Sequence, residues 1–164
     1  MGNFEEQKRG MPIASLLSTM EPRMLPIVLE HSTIQEVIRA MIRFEHSRVL
    51  YVVNEAEQLT GTISLGNLAR HVFSRSHEAQ IHARFLITII TAETAKDMMQ
   101  KKPVFAKKEE EVGEILKRMI ESNVKEIAIL DEERKVIGDV TMIDLLKFLL
   151  NGGEQSEGED TREH

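Results

Sequence analysis

The chain has no cysteine and no tryptophan, a single tyrosine and four prolines in 164 residues. Without cysteine there is no disulfide framework and no thiolate metal site, and the expected compartment is reducing and cytoplasmic. Long apolar runs are also missing: none approaches the ~18 residues of a membrane span, so no membrane partner is expected. The opening Met1-Gly2-Asn3-Phe4-Glu5-Glu6 lacks the apolar core of a signal peptide. Positive charge is in deficit, with a formal net charge of −6 and 4% aromatics. That balance speaks against a nucleic-acid binder that tracks phosphates. No serine, cysteine or lysine stands in a nucleophile context and no Gly-rich phosphate loop occurs, so the chain is not expected to be an enzyme.

What is present is a folding pattern. Apolar residues make up 41% of the chain, and both helical and strand periodicities occur, enough for one core or two small subdomains. Residues 1–10 are polar and expected to be flexible. Pro12 opens a helix with Ile13, Leu16, Leu17 and Met20 on one face, and Pro22 and Pro26 break the pattern. Ile27-Val28-Leu29 is extended. Ser32 or Thr33 caps a helix carrying Ile34, Val37, Ile38, Met41 and Ile42. Val49 to Val53 reads as a central strand, apolar on both faces. After a turn come the strand Gly61 to Ser64 and a helix from Leu65 to Phe73, with Leu65, Leu68, Ala69, Val72 and Phe73 inward. Residues 75–92 form a connector, helical by the spacing of Ile81, Phe85, Leu86, Ile89 and Ile90. The pattern then restarts: a short helix at Ala95 to Gln100, an extended Pro103 to Ala106, and a helix from Glu109 to Ser122 with Val112, Ile115, Leu116, Met119 and Ile120 inward. Strands follow at Glu126 to Leu130 and Val136 to Val140, and a last helix runs from Thr141 to Leu150. Asn151-Gly152-Gly153 should end it, leaving 151–164 as a disordered acidic tail.

The junction Gly138-Asp139-Val140-Thr141-Met142-Ile143-Asp144 supports two readings. Thr141 caps the last helix, and the Asp144 carboxylate sits in its first turn, where the helix dipole favours it. Alternatively, the hydroxyl and carboxylate face a cleft, where the carboxylate accepts two hydrogen bonds from a sugar diol.

The two halves match each other in sequence. Ile34, Val37, Met41 and Ile42 correspond to Val112, Ile115, Met119 and Ile120, 78 residues on, and Leu50, Val53 and Gly61 correspond to Ile127, Leu130 and Gly138, 77 residues on. Turn lengths and the glycine register together, so these are copies rather than two generic α/β pieces. The expected fold is α/β, two repeated β-α-β-β-α units packed on each other through their sheets. The first spans 11–74 and the second 93–150.

These residues carry a resemblance to a tandem pair of CBS domains, the modules named after cystathionine β-synthase, in the arrangement called a Bateman module. The strand ends Val52-Val53-Asn54 and Ile129-Leu130-Asp131 and the glycine-led strand running into a helix resemble that family. So does the signature of a glycine, a threonine or serine three residues on, and an aspartate three further. Gly138, Thr141 and Asp144 match it. Gly61 and Ser64 match in the first copy, where Asn67 replaces the aspartate.

The resemblance implies a regulatory, energy-sensing module that binds AMP, ADP, ATP or S-adenosylmethionine in the cleft between repeats and signals to an effector protein. Asp144 would take the ribose hydroxyls, with Thr141 nearby, and adenine would lie against Val104 and Phe105, and Ile127 and Ala128. Ser64 and Asn67 would form a degenerate second site, because an amide grips a diol less well than a carboxylate. Lys107, Lys108, Lys125 and Arg48, which flank the strands, are candidates for the phosphates. A homodimer is implied, and no cofactor is required. A competing reading is a ligand-free dimerisation or protein-interaction module that uses apolar surface on 145–150 and 81–90. His71, His77 and His82, at gaps of six and five, do not share the helical face that a metal site needs.

Overall fold

The computed structural model describes residues 2–76 and 93–157. The 75–92 connector lies, from residue 77 on, outside the described residues. Two three-stranded sheets organise the rest, ordered β1-β2-β3 and β4-β5-β6. The first holds β1 (Ile27–Leu29), β2 (Val49–Val53) and β3 (Leu59–Ser64). Strand β2 runs parallel to β1, with Val28 opposite Val52, and antiparallel to β3. The parallel pair needs a crossover, and helix α3 (Ile34–Arg43) supplies it. Thr33 and Glu36 close a capping box at its start. Helix α4 (Leu65–Ser76) follows β3 directly.

Each of these elements recurs 77 or 78 positions later: β4 (Phe105–Lys107), α6 (Val112–Glu121), β5 (Glu126–Leu130), β6 (Val136–Thr141) and α7 (Met142–Glu157). Strand β5 pairs parallel with β4. Strands β2 and β5 are central, as their unbroken apolar runs require. Even the turn backbones repeat, with Glu57 and Arg134 both left-handed at φ 63° and 66°.

The chain divides into two compact units, and neither is a contiguous repeat. One comprises Met1–Arg23, Val104–Glu132 and Ile137–His164; the other comprises Met24–Pro103 and Glu133–Val136. In the first, Ile13 and Leu16 of α2 (Ile13–Thr19) are buried against Val112, Ile115, Ile127 and Val140. Backbone bonds fix that helix there, from Ile13 N–H to Glu110 O at 2.8 Å and from Val112 N–H to Met11 O at 2.9 Å. In the second, α5 (Ala95–Met98) packs Ala95 among Ile34, Val37 and Ile63. Gln100 and Thr62 exchange backbone bonds of 3.1 and 2.8 Å there. The short helix that leads each repeat in sequence therefore completes the core built on the other repeat's sheet.

The strand glycines make that docking possible. A Cβ on Gly61 would lie 2.5 Å from the Met99 sulfur and 2.8 Å from the Gln100 carbonyl oxygen; one on Gly138 would lie 2.9 Å from a Leu17 methyl. The shared glycine of the two copies is thus a packing requirement.

Several expectations need correction. Residues 2–9, expected to be loose, form helix α1 (Gly2–Arg9), which packs against α6 and α7. Its polar sequence hid it, because the stripe it uses is short. Ile42 and Ile120 are 68% and 64% exposed rather than inward. They lie roughly 100° round the helix from the centre of the buried stripe. Leu65 and Phe73 are also exposed, and Leu68 alone of α4 is fully in the core. Leu145 and Phe148, counted as surface in the competing reading, are buried. Helix α7 runs through Gly152 and Gly153 to Glu157. Glycine weakens a helix but, unlike proline, does not block it. Of the expected tail, 158–164 lie outside the described residues.

Candidate functional site

Strand β6 delivers Thr141 to the start of α7, where Met142 N–H is anchored on Lys125 O at 2.8 Å. Asp144 folds back on that turn. Its Oδ2 accepts from Thr141 N–H at 2.8 Å and from Thr141 Oγ1 at 2.9 Å, while Asp144 N–H donates to Thr141 Oγ1 at 3.2 Å. This is a reciprocal cap. By itself it is a helix-starting device: Thr94 N–H and Oγ1 donate to Asp97 at the same 2.8 and 2.9 Å.

What sets Asp144 apart is Arg23, 121 positions away. Arg23 Nη2 donates to Asp144 Oδ2 at 2.8 Å and to Asp139 O at 2.7 Å, with Asp139 Oδ2 at 3.4 Å. Its Nη1 reaches Asp144 Oδ1 only at 3.4 Å, and Nε is buried with no acceptor among the described residues. An N–H left unmade in this way typically costs about 1–3 kcal/mol. The Arg23 and Asp144 side chains are 27% and 13% exposed, and that of Asp139 is fully buried. Burial pushes the Asp144 carboxyl up, but the bonds from Arg23 and Thr141 outweigh it and hold the group below the usual range. Burial likewise opposes the Arg23 charge, and Asp144 and Asp139 more than restore it.

Asp144 and Arg23 line a cavity of about 620 Å³ together with Lys8, Thr19, Met20, Glu21, Lys147 and Phe148. That volume falls in the range of small-molecule sites. Lys8 is held over the Phe148 ring, its nitrogen 4.3 Å from the ring centre, and donates to the Phe148 carbonyl. Cations outnumber carboxylates in this lining by three to two.

Of the residues singled out in sequence, the structure brings Thr141 and Asp144 into contact, and of the two only Asp144 lines the cavity. Gly138 meets Leu17. Ile127 is in the core and Val104 packs against it. Phe105 and Ala128 are register partners, with Ala128 fully buried. None of these five lines the cavity, and neither do Lys107, Lys108, Lys125 or Arg48. Arg48 instead donates to the Glu45 carbonyl at 2.7 Å. The cations that do line it, Lys8, Arg23 and Lys147, escaped sequence reasoning. Lys147 had a signal, standing three residues after Asp144 on one helix face. Arg23 had none.

In the first copy Ser64 Oγ accepts from Asn67 N–H at 3.2 Å, as Thr141 does from Asp144. The Asn67 amide oxygen is taken by Arg70 of its own helix at 2.5 Å. Asn67, Arg70, His71, Asp97 and Met98 line a cavity of about 390 Å³. His71 pairs with Glu93 at 2.5 Å, and among the described residues no group of three His, Cys, Asp or Glu is placed to hold a metal ion. His77 and His82 lie outside the described residues. Among the described residues no helix is long and apolar enough to cross a membrane.

A family model for the CBS domain matches the chain twice, over residues 11–74 and 95–151. Among solved structures, the chain is similar to the CBS domain of a CBS domain containing membrane protein from Sphaerobacter thermophilus. The two are 24% identical over 91% of this chain and 94% of that one, with a TM-score of 0.67. It is similar to CBSX2, solved in complex with AMP, at 17% identity over 90% and 99% of the chains and a TM-score of 0.66. It is also similar to the CBS domain pair of protein MJ0100, solved with 5′-methylthioadenosine and S-adenosyl-L-methionine, at 20% identity over 88% and 98% and a TM-score of 0.62. Among curated protein sequences there is no match. The two family matches take up more than half of the chain, each on one copy of the repeat, and the chain belongs to the CBS domain family as a tandem pair.

Proposed function

We propose that the chain is a non-catalytic regulatory module that binds an adenosine nucleotide in the cavity at Asp144 and signals to an effector protein. AMP, ADP, ATP and S-adenosylmethionine are the ligand class, by analogy with the relatives solved with AMP and with S-adenosyl-L-methionine. The observation that carries this reading is a carboxylate held by a fixed cap at the wall of a cavity of about 620 Å³. Asp144 accepts the ribose 2′ and 3′ hydroxyls, and Thr141 holds the carboxylate in place. Asn67, already taken by Arg70, leaves the site of the first copy degenerate. The bound ligand alters the effector only through a free-energy preference for one arrangement of the chain.

The test is equilibrium binding of labelled AMP and ATP. Wild type should bind at least one, and Asp144→Ala should weaken it by about 10- to 100-fold, the loss of charge-assisted bonds worth about 1.5–3 kcal/mol. Indifference of the wild type to every adenosine ligand would sink the reading. A second reading, pairing of copies without a ligand, is favoured by the exposed Ile143, Leu146 and Leu150 of α7. Sedimentation with and without nucleotide separates the two, and a homodimer is compatible with both.

A further inference from the structure

We propose that Arg23 makes this site select adenosine ligands bearing a phosphate over adenosine itself. This rests on the nucleotide reading of the Asp144 cavity. Asp144 Oδ2 already receives three donors, two from Thr141 and one from Arg23. Its Oδ1 faces Arg23 Nη1 at 3.4 Å. A cis-diol needs free lone pairs on this carboxylate, and the guanidinium stands against both oxygens. The diol and Arg23 therefore compete for one carboxylate.

A displaced guanidinium has lost its best anion. Arg23 keeps the Asp139 carbonyl within reach, but its Nε is already without an acceptor. A phosphate offers three acceptor oxygens in the geometry that a guanidinium fork pairs bidentately. Adenosine brings the diol and no anion, so its entry strands the arginine. A nucleoside 5′-phosphate brings both, and the two exchanges offset each other. Lys147 lines the same cavity, is exposed, and makes no ion pair among the described residues. With Lys8 it biases the field toward an anion despite Glu21. The first copy has no such exchange, because Asn67 is neutral and is bonded within its own helix.

The experiment is titration calorimetry of the full chain with AMP, adenosine and inorganic phosphate, for wild type, Arg23→Gln and Arg23→Lys. Wild type should prefer AMP to adenosine by about tenfold or more, and inorganic phosphate should bind far more weakly than AMP, since it cannot replace the guanidinium on Asp144. Arg23→Gln should narrow the preference to within about threefold, with adenosine gaining and AMP losing. Arg23→Lys, which keeps the charge without the fork, should fall between. Equal wild-type affinities for AMP and adenosine overturn the proposal and leave the nucleotide reading standing, as does a preference that Arg23→Gln leaves intact. Absence of binding by AMP and adenosine to wild type and both variants overturns the nucleotide reading and this inference together. Should Arg23→Gln fail to fold, the wild-type ratio and Arg23→Lys still decide.

Discussion

One carboxylate, Asp144, starts a helix, neutralises an arginine and walls a cavity. Its ordinary value is about 3.9, and the folded value lies below that. The stability it contributes is therefore complete above the unfolded value and is lost as pH falls through the folded one. Glu110 behaves alike, held down by its bond from Arg118 at 2.5 Å. The melting temperature should stay flat from about pH 7 to 5 and drop below about pH 4, and Asp144→Asn should flatten part of that drop. Melts followed by circular dichroism across this range check it; an unchanged wild-type melting temperature down to about pH 3 would contradict it. At this scale the sequence was legible where partners are near in the chain. Thr141 and Asp144 are three residues apart, so a spacing rule finds them. Arg23 was invisible because it lies between Pro22 and Pro26, in a stretch with no period, and meets Asp144 only through the fold.

Among the elements, the glycine of β3 and that of β6 do the same job with different tolerance. A methyl group at Gly61 meets a backbone carbonyl, that of Gln100, which is fixed by its exchange with Thr62; at Gly138 it meets the end of the Leu17 side chain, which can rotate. Gly61→Ala should cost about 1–3 kcal/mol and Gly138→Ala less. Urea denaturation of both variants measures the order, and equal losses would contradict it. The strands and the amphipathic helices α3 and α6 were readable because β-branched runs and the 3.6-residue stripe are local signals. Helix α1 was not, since only packing against α6 and α7 reveals its use.

For the molecule as a whole, the duplication was legible and the exchange of its leading helices was not. Nothing local tells α2 to pack on β5 rather than on β2. The consequence is testable by truncation. Removing residues 1–23 takes Ile13 and Leu16 out of a core they share with Val112, Ile115 and Ile127. Each lost side chain costs about 2–5 kcal/mol, comparable with a small unit's whole stability. The truncated chain should lose the cooperative melt of that unit, as read by calorimetry; retention of the full transition would contradict the assignment. The same exchange bears on biosynthesis. On a ribosome α2 emerges first, yet the strands that shelter Ile13 and Leu16 arrive some hundred residues afterwards. Until then those side chains wait in water, so a nascent chain of this protein has reason to depend on a holdase or on slow, end-to-end closure for its final assembly.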